Sequence, residues 1–245
     1  MITSRRFLLG NSQIKLIAKI ENKRGMDNFE SILRMSDAIV IDRGYLGAEV
    51  DIDIVATAQK RMIGLANTAG KPVLVANQVL ESMKSHPRPT RSEAADIANA
   101  VMDGTDGLVL SSETAVGEYV VESINTMRKI ALQAERQTNY LEYSLKQMRN
   151  VPKPIGVSES IASSAVMCAR QVNANVIICL TELGGTARLV AKYRPPVPVV
   201  AATMFRKTAQ QLGMCFGVVP YFHDGPQDLL ISETMRKFSL AFGIP

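Results

Sequence analysis

Short apolar runs alternate with helical patterns along the front of the chain. Ile14–Ile20 is the first run, and Glu30–Met35 closes a helical stretch ahead of a second run at Ala38–Ile41. Ile54–Ala69 places apolar residues three and four apart, the period of a helix face. Gly70-Lys71-Pro72 stops that helix, and Val73–Ala76 follows as a third strand. Glu93–Val101 is helical, Gly104 breaks it, Gly107–Leu110 is a fourth strand, and Val120–Asn139 is a long helix. A strand–helix repeat at intervals of roughly 25–35 residues predicts parallel strands joined by helical crossovers.

Pro152-Lys153-Pro154 interrupts this pattern. Beyond it, Ser158–Val172 reads as a helix with Ser158 as its N-cap. Val176–Leu180, Val197–Ala201 and Gly217–Pro220 read as strands. Ala187–Tyr193, Thr208–Leu212 and Leu229–Phe242 read as the helices between and after them. Residues 1–139 and 140–245 are thus expected to form two α/β units. Periodicity does not separate an open doubly wound sheet from a barrel. Four βα units are too few to close a (β/α)₈ barrel. In a half barrel, inward-facing apolar side chains such as Ile17 and Val75 would lack a partner layer.

Composition narrows the class. Apolar content of 47% and charged content of 21% over 245 residues are those of an ordinary globular protein. No apolar run approaches the roughly 18 residues that cross a bilayer, so no membrane association is expected. Cys168, Cys179 and Cys215 lie far apart without CxxC spacing and read as reduced core residues. His86 and His223 read as isolated loop histidines. The net charge of +5 comes from dispersed basic residues with no aromatic–basic stripe, which argues against a nucleic-acid surface. The first twenty residues hold Arg5, Arg6, Lys15 and Lys19 and no acid, as a mitochondrial presequence would. A strand already begun at Ile14 leaves little disposable leader, so the cytoplasm is the expected location and the mitochondrion the alternative.

Chemistry enters at the strand ends. Lys19 and Glu21 stand two apart at the carboxyl end of the first strand, so period two puts them on one face. A cation beside a carboxylate fits phosphoryl transfer, with the acid holding a divalent metal; it equally fits a surface ion pair. A glycine-punctuated loop, Asp42-Arg43-Gly44-Tyr45-Leu46-Gly47, follows the second strand. Ala76–Met83 follows the third, Pro87–Arg91 opens the next helix, and Ser111–Ala115 follows the fourth.

These segments together resemble the pyruvate kinase family. Ile14–Met26 resembles its signature, with Lys19 and Glu21 in register and Arg24 where an acidic or small polar residue is usual. Asp42–Gly47 looks like the family's ARGDLG, Gly70–Met83 like GKPVICATQMLESM, Pro87–Arg91 matches PRPTR, and Ser112–Ala115 resembles GETA. The resemblance implies the second half of a (β/α)₈ TIM barrel, strands five to eight, followed by an incomplete α/β carboxyl-terminal domain. Strands one to four and the lid domain would lie outside this chain. It further implies transfer of a phosphoryl group from phosphoenolpyruvate to ADP, with Mg²⁺ and K⁺ as cofactors and an oligomer, homo- or hetero-, as the working form.

Carried over by position, Lys19 stabilises the transferring phosphoryl, Glu21 is one Mg²⁺ ligand, Arg43 and Gly44 contribute to substrate binding, and Asn77 stands where the family has a threonine against the substrate. The second metal ligand should be the Asp of ARGDLG, and that position is Tyr45. A neutral phenol is a poor ligand for a hard cation. Asp42, in place of an alanine, is expected on the opposite face by its odd offset from Tyr45. In the second unit, Glu182 and Leu183 within Thr181–Thr186 argue against a sugar-phosphate activator site. Three readings follow: a pyruvate kinase of little or no activity alone, a non-catalytic paralogue serving as a subunit in an assembly, or a piece of a longer enzyme.

Overall fold

The computed structural model describes residues 14–242, apart from the side chain of Ile52. It divides into two compact units, Met1–Thr138 and Asn139–Pro245.

In the first unit four strands, β1 (Ile17–Ile20), β2 (Ala38–Asp42), β3 (Val73–Ala76) and β4 (Gly107–Val109), form a parallel sheet in the order β1-β2-β3-β4. Between them lie α1 (Lys23–Asp27), α2 (Phe29–Met35), α3 (Arg43–Glu49), α4 (Ile52–Thr68) and α5 (Arg91–Asp103). A doubly wound sheet reverses its strand order at a switch point. Consecutive order without reversal over four strands is the order that a barrel wall requires. After β4 come α6 (Ser112–Ala115) and α7 (Val120–Gln137).

Strand pairing assigns the faces. Lys19 pairs with Val40, Val40 with Leu74, and Leu74 with Gly107, so these four form one row across the sheet. The alternate residues Ala18, Ile20, Ile39, Ile41, Val73 and Val75 face the other way and join Phe29, Leu33, Met62 and Ile63 in the buried core under the helices. Val75 is therefore fully buried against helices, contrary to the expectation that it faces an empty barrel interior. Ile17 does lie on the uncovered face and is exposed.

The turns are built from local chemistry. Gly70, in the left-handed region at φ 64°, ends α4, and Lys71 Nζ donates to the carbonyls of Leu33 and Arg34 in the last turn of α2 and of Ser36 just past it. Thr90 caps α5, and Glu93 returns a bond to the Thr90 N–H, completing a capping box. The segment Asp42–Gly47, expected as a loop, is a strand end running directly into α3, with Asp42 as N-cap.

The second unit opens with α8 (Tyr140–Asn150), which hydropathy misses because its buried positions include Ser144 and Gln147. Then follow α9 (Val157–Gln171), β5 (Ile177–Leu180), α10 (Gly185–Ala191), β6 (Val199–Thr203), α11 (Arg206–Leu212), β7 (Val218–Phe222) and α12 (Leu230–Ala241). The strands pair in parallel in the order β5-β6-β7. Gly156, not Ser158, is the N-cap of α9; Ser158 lies in the first turn. Cys179 and Cys215 are buried as expected, whereas Cys168 is exposed; burial pushes the Cys179 thiol up to about 11. His223 lies in the loop just past β7, as expected, and is buried there, with Nε2 3.0 Å from the Pro226 carbonyl.

Lys192 is a buried cation of this unit, its side chain 4% exposed and its Nζ 2.8 Å from Glu159 Oε1. Tyr193 Oη donates to the same carboxylate, tying the end of α10 to the start of α9. Removing one partner of a buried pair strands the other charge. Glu159→Gln is therefore expected to lower unfolding stability by about 3 kcal/mol in urea denaturation, through loss of the ion pair with Lys192.

Candidate functional site

The polar cluster sits at the carboxyl ends of β1 and β2. Lys19 Nζ lies 3.0 Å from Glu21 Oε2 and 2.6 Å from Asp42 Oδ2. The Tyr45 ring, 63% exposed, stands beside them with its centroid 5.2 Å from the same Nζ. Lys19 and Glu21 thus meet as their spacing predicts. Asp42 does not turn away. It lies two residues beyond Val40, the strand partner of Lys19, and so projects on the Lys19 face. Tyr45 belongs to the first turn of a helix, so strand parity counted from Tyr45 carries no information about Asp42. Counting from Lys19 across the β1–β2 pair finds it.

Asp42 is fully buried. Burial alone would push its carboxyl up; Lys19, the Asn77 side chain and the Tyr45 N–H together outweigh that and hold it below the usual aspartate value. The same pairing, with Asp42 first and Glu21 second, raises the Lys19 ammonium above its ordinary value.

The loop after β3 closes over this end. Asn77 and Gln78 both adopt left-handed backbone, at φ 64° and 51°. Arg43 holds them there: Nη2 donates to the Asn77 carbonyl at 3.2 Å and to the Gln78 carbonyl at 2.7 Å, and Nη1 pairs with Asp96. The Arg43 guanidinium is thus largely engaged in tying α3 to the β3 loop and to α5. Gly44 lies in the first turn of α3 against Asn77.

Two further acids stabilise the same rim, and neither was singled out from the sequence. Glu113 is fully buried; Oε1 accepts from Leu80 N at 3.0 Å and Oε2 from Ser111 N at 2.9 Å, joining the loops after β3 and β4. Glu93 accepts from Ser82 N and Thr90 N, both at 2.8 Å, and from both hydroxyls. An acidic residue one or two positions into a helix that follows a strand-end loop is the signal that marks both. A cleft of about 630 Å³ opens beside the cluster, lined by Arg43, Gly44, Lys60, Gln78 and Asp96 among others, but Lys19 and Glu21 take no part in it.

Residues 3–124 match the family model "Pyruvate kinase, barrel domain" and residues 159–242 the model "Pyruvate kinase, alpha/beta domain". A pyruvate kinase of Clostridium acetobutylicum is 44% identical over 230 residues, 93% of this chain and 48% of that protein. The chain belongs to the pyruvate kinase family. The pyruvate kinase of Dictyostelium discoideum is 46% identical over 211 residues, 85% of this chain and 42% of its own length. A crystal structure of a pyruvate kinase from Cryptosporidium parvum superposes with a TM-score of 0.93 at 40% identity, covering 98% of this chain and 51% of that one. The chain spans about half the length of the curated relatives it matches. The fold is accordingly that of the pyruvate kinase barrel and α/β domains.

Pyruvate kinases depend on Mg²⁺ and K⁺, so the fit of these residues to a metal can be asked. Among the described residues no three His, Cys, Asp or Glu side chains gather as a metal site. The two acids at the strand ends both converge on an ammonium rather than on an open space, and Tyr45 offers a ring face and a neutral phenol. These residues do not fit a two-carboxylate Mg²⁺ seat. In the second unit the Thr181 hydroxyl accepts from Gly184 N at 2.9 Å and Thr208 Oγ1 donates to the Glu182 carbonyl at 2.7 Å, so the Thr181–Thr186 loop is braced from within the unit.

Glu93 gives a pH test of the rim. Burial raises its carboxyl, but the bonds from Ser82 and Thr90 outweigh this and leave it below the ordinary 4.5. A depressed acid stabilises the fold above its unfolded value and ceases to do so as pH falls through its folded value. Unfolding stability is thus expected to drop below about pH 4.5 less steeply in Glu93→Gln than in the parent chain, measured by thermal melts across pH 3–7.

Proposed function

We propose that this chain presents the phosphoryl-transfer end of a pyruvate kinase and performs that reaction weakly. The observation that carries the reading is Lys19 beside Glu21 at the carboxyl end of a barrel-type sheet, with a phenol in place of the second acid. The substrates on this reading are phosphoenolpyruvate and ADP, and the products pyruvate and ATP.

The roles divide by geometry. Lys19 supplies positive charge to the moving phosphoryl group. Gly44, small and in the first turn of α3, leaves room for the substrate carboxylate to approach the backbone, and Asn77 offers a polar side chain beside it. Arg43 acts on the substrate through the loop it holds, keeping Asn77 and Gln78 in their left-handed conformation. Glu21 is the single acid retained from the family's metal pair. Cytoplasmic location is part of the reading: a cytosolic isozyme of Nicotiana tabacum is 48% identical over 201 residues. No helix among the described residues is long and apolar enough to cross a membrane.

The alternative is a non-catalytic subunit of a homo- or hetero-oligomer. Ile17, exposed on the uncovered sheet face beside half-buried Val40 and Leu74, favours it. Light scattering after size-exclusion chromatography discriminates: a monomer at high concentration counts against assembly.

A coupled assay of pyruvate release from phosphoenolpyruvate and ADP, with Mg²⁺ and K⁺ present, tests the main reading. Loss of an electrostatic stabiliser at the reacting group typically costs about 10²–10³ in rate. Turnover is expected at least that far below an active relative assayed alongside; equal turnover overturns the claim of impairment.

A further inference from the structure

We propose that Asp42 is a positioning residue that pins Lys19, and that the resident cation of this strand end is the Lys19 ammonium itself, in space a divalent ion would need. The proposal rests on the reading of this end as a pyruvate kinase site.

Three observations carry it. The first is placement: Lys19 and Asp42 are diagonal neighbours on one sheet face, Asp42 standing two residues past Val40, the β2 partner of Lys19, so the backbone directs both side chains to the same point. The second is burial. A fully buried carboxylate persists only with a cation and hydrogen bonds around it, and Asp42 has Lys19 at 2.6 Å, the Tyr45 N–H at 3.4 Å and the Asn77 side chain. The third is engagement. Asp42, Glu21 and the face of Tyr45 all stand against the ammonium of a side chain that is 46% exposed.

The consequence is electrostatic. One ammonium faces two carboxylates, leaving a formal excess of one negative charge at the point where an anionic substrate would arrive. A divalent ion would have to take Glu21 from Lys19 and find a second acid, while Asp42 is committed to Lys19 and to the start of α3. Restoring an aspartate at position 45 would then leave the clamp in place, and Asp42 as well as Tyr45 would have to revert before a metal could seat.

Two measurements on the full chain test this. Acetic anhydride labelling at fixed pH, read by mass spectrometry, compares Lys19 with exposed Lys129 in the parent, Asp42→Asn and Asp42→Glu chains, each first shown to be folded by circular dichroism. The Lys19-to-Lys129 ratio is expected to rise several-fold in Asp42→Asn and to return towards the parent value in Asp42→Glu. An unchanged ratio in Asp42→Asn sinks the clamp. Mn²⁺ uptake followed by electron paramagnetic resonance then compares Tyr45→Asp with Tyr45→Asp combined with Asp42→Ala. The double variant is expected to bind Mn²⁺ at least several-fold more tightly. Equal affinity in the two, including no uptake by either, overturns the exclusion of the metal by Asp42. Neither measurement depends on turnover, so an active parent chain would refute the impairment and leave the clamp to be judged by its own result.

Discussion

Side chains alternate across a strand, and the rest of this site follows from that alternation applied to a parallel pair. Along β1 it sends Ala18 and Ile20 to the helices and Ile17 and Lys19 to the open face. Along β2 it sends Ile39 and Ile41 to the helices and Val40 and Asp42 to the open face. The hydrophobic core and the charged cluster are thus two sides of one constraint. A one-residue slip of β2 would bury Val40 and expose Ile39 and Ile41, and it would also part Asp42 from Lys19. Packing of the core face therefore fixes the register that brings the charges together.

The strand ends are held by polar brackets rather than by apolar contact. Arg43 ties α3 to the β3 loop, Glu93 ties that loop to α5, and Glu113 ties it to the start of α6. Each is a charged group that satisfies backbone donors or acceptors which the end of a strand would otherwise leave without partners. This accounts for the unusual backbone of Asn77 and Gln78. Left-handed conformations at consecutive non-glycine residues are strained, and here both carbonyls are engaged by one guanidinium. Arg43, Glu93 and Glu113 thus hold the loops at the strand ends in place.

Replacement of an acid by Tyr45 and of an alanine by Asp42 reads differently once the geometry is known. Taken singly, on the family resemblance, the first stands where an acid is usual and the second is a buried charge. Taken together, they leave Lys19 with an aromatic face on one side and a buried anion on another. Both acids of the cluster are already paired with the one ammonium, and such pairing competes with an incoming cation or anion.

The amino-acid sequence by itself determined the order and type of most elements, because β-branched runs and three-to-four spacing are local signals. It also determined the family, because several motifs stand in order at fixed separations. It placed Lys19 beside Glu21, which needs only the period of one strand. It did not reveal α8, whose buried face carries Ser144 and Gln147, nor the helical start at Arg43, where two glycines in seven residues suggest a loop. It also placed Asp42 on the wrong face and Val75 in an empty interior. Both errors come from counting along one strand, whereas facing is set by pairing between strands. Only the tertiary structure decided that a carboxylate at position 42 meets an amine at position 19, because that contact depends on the register of two segments separated by two helices.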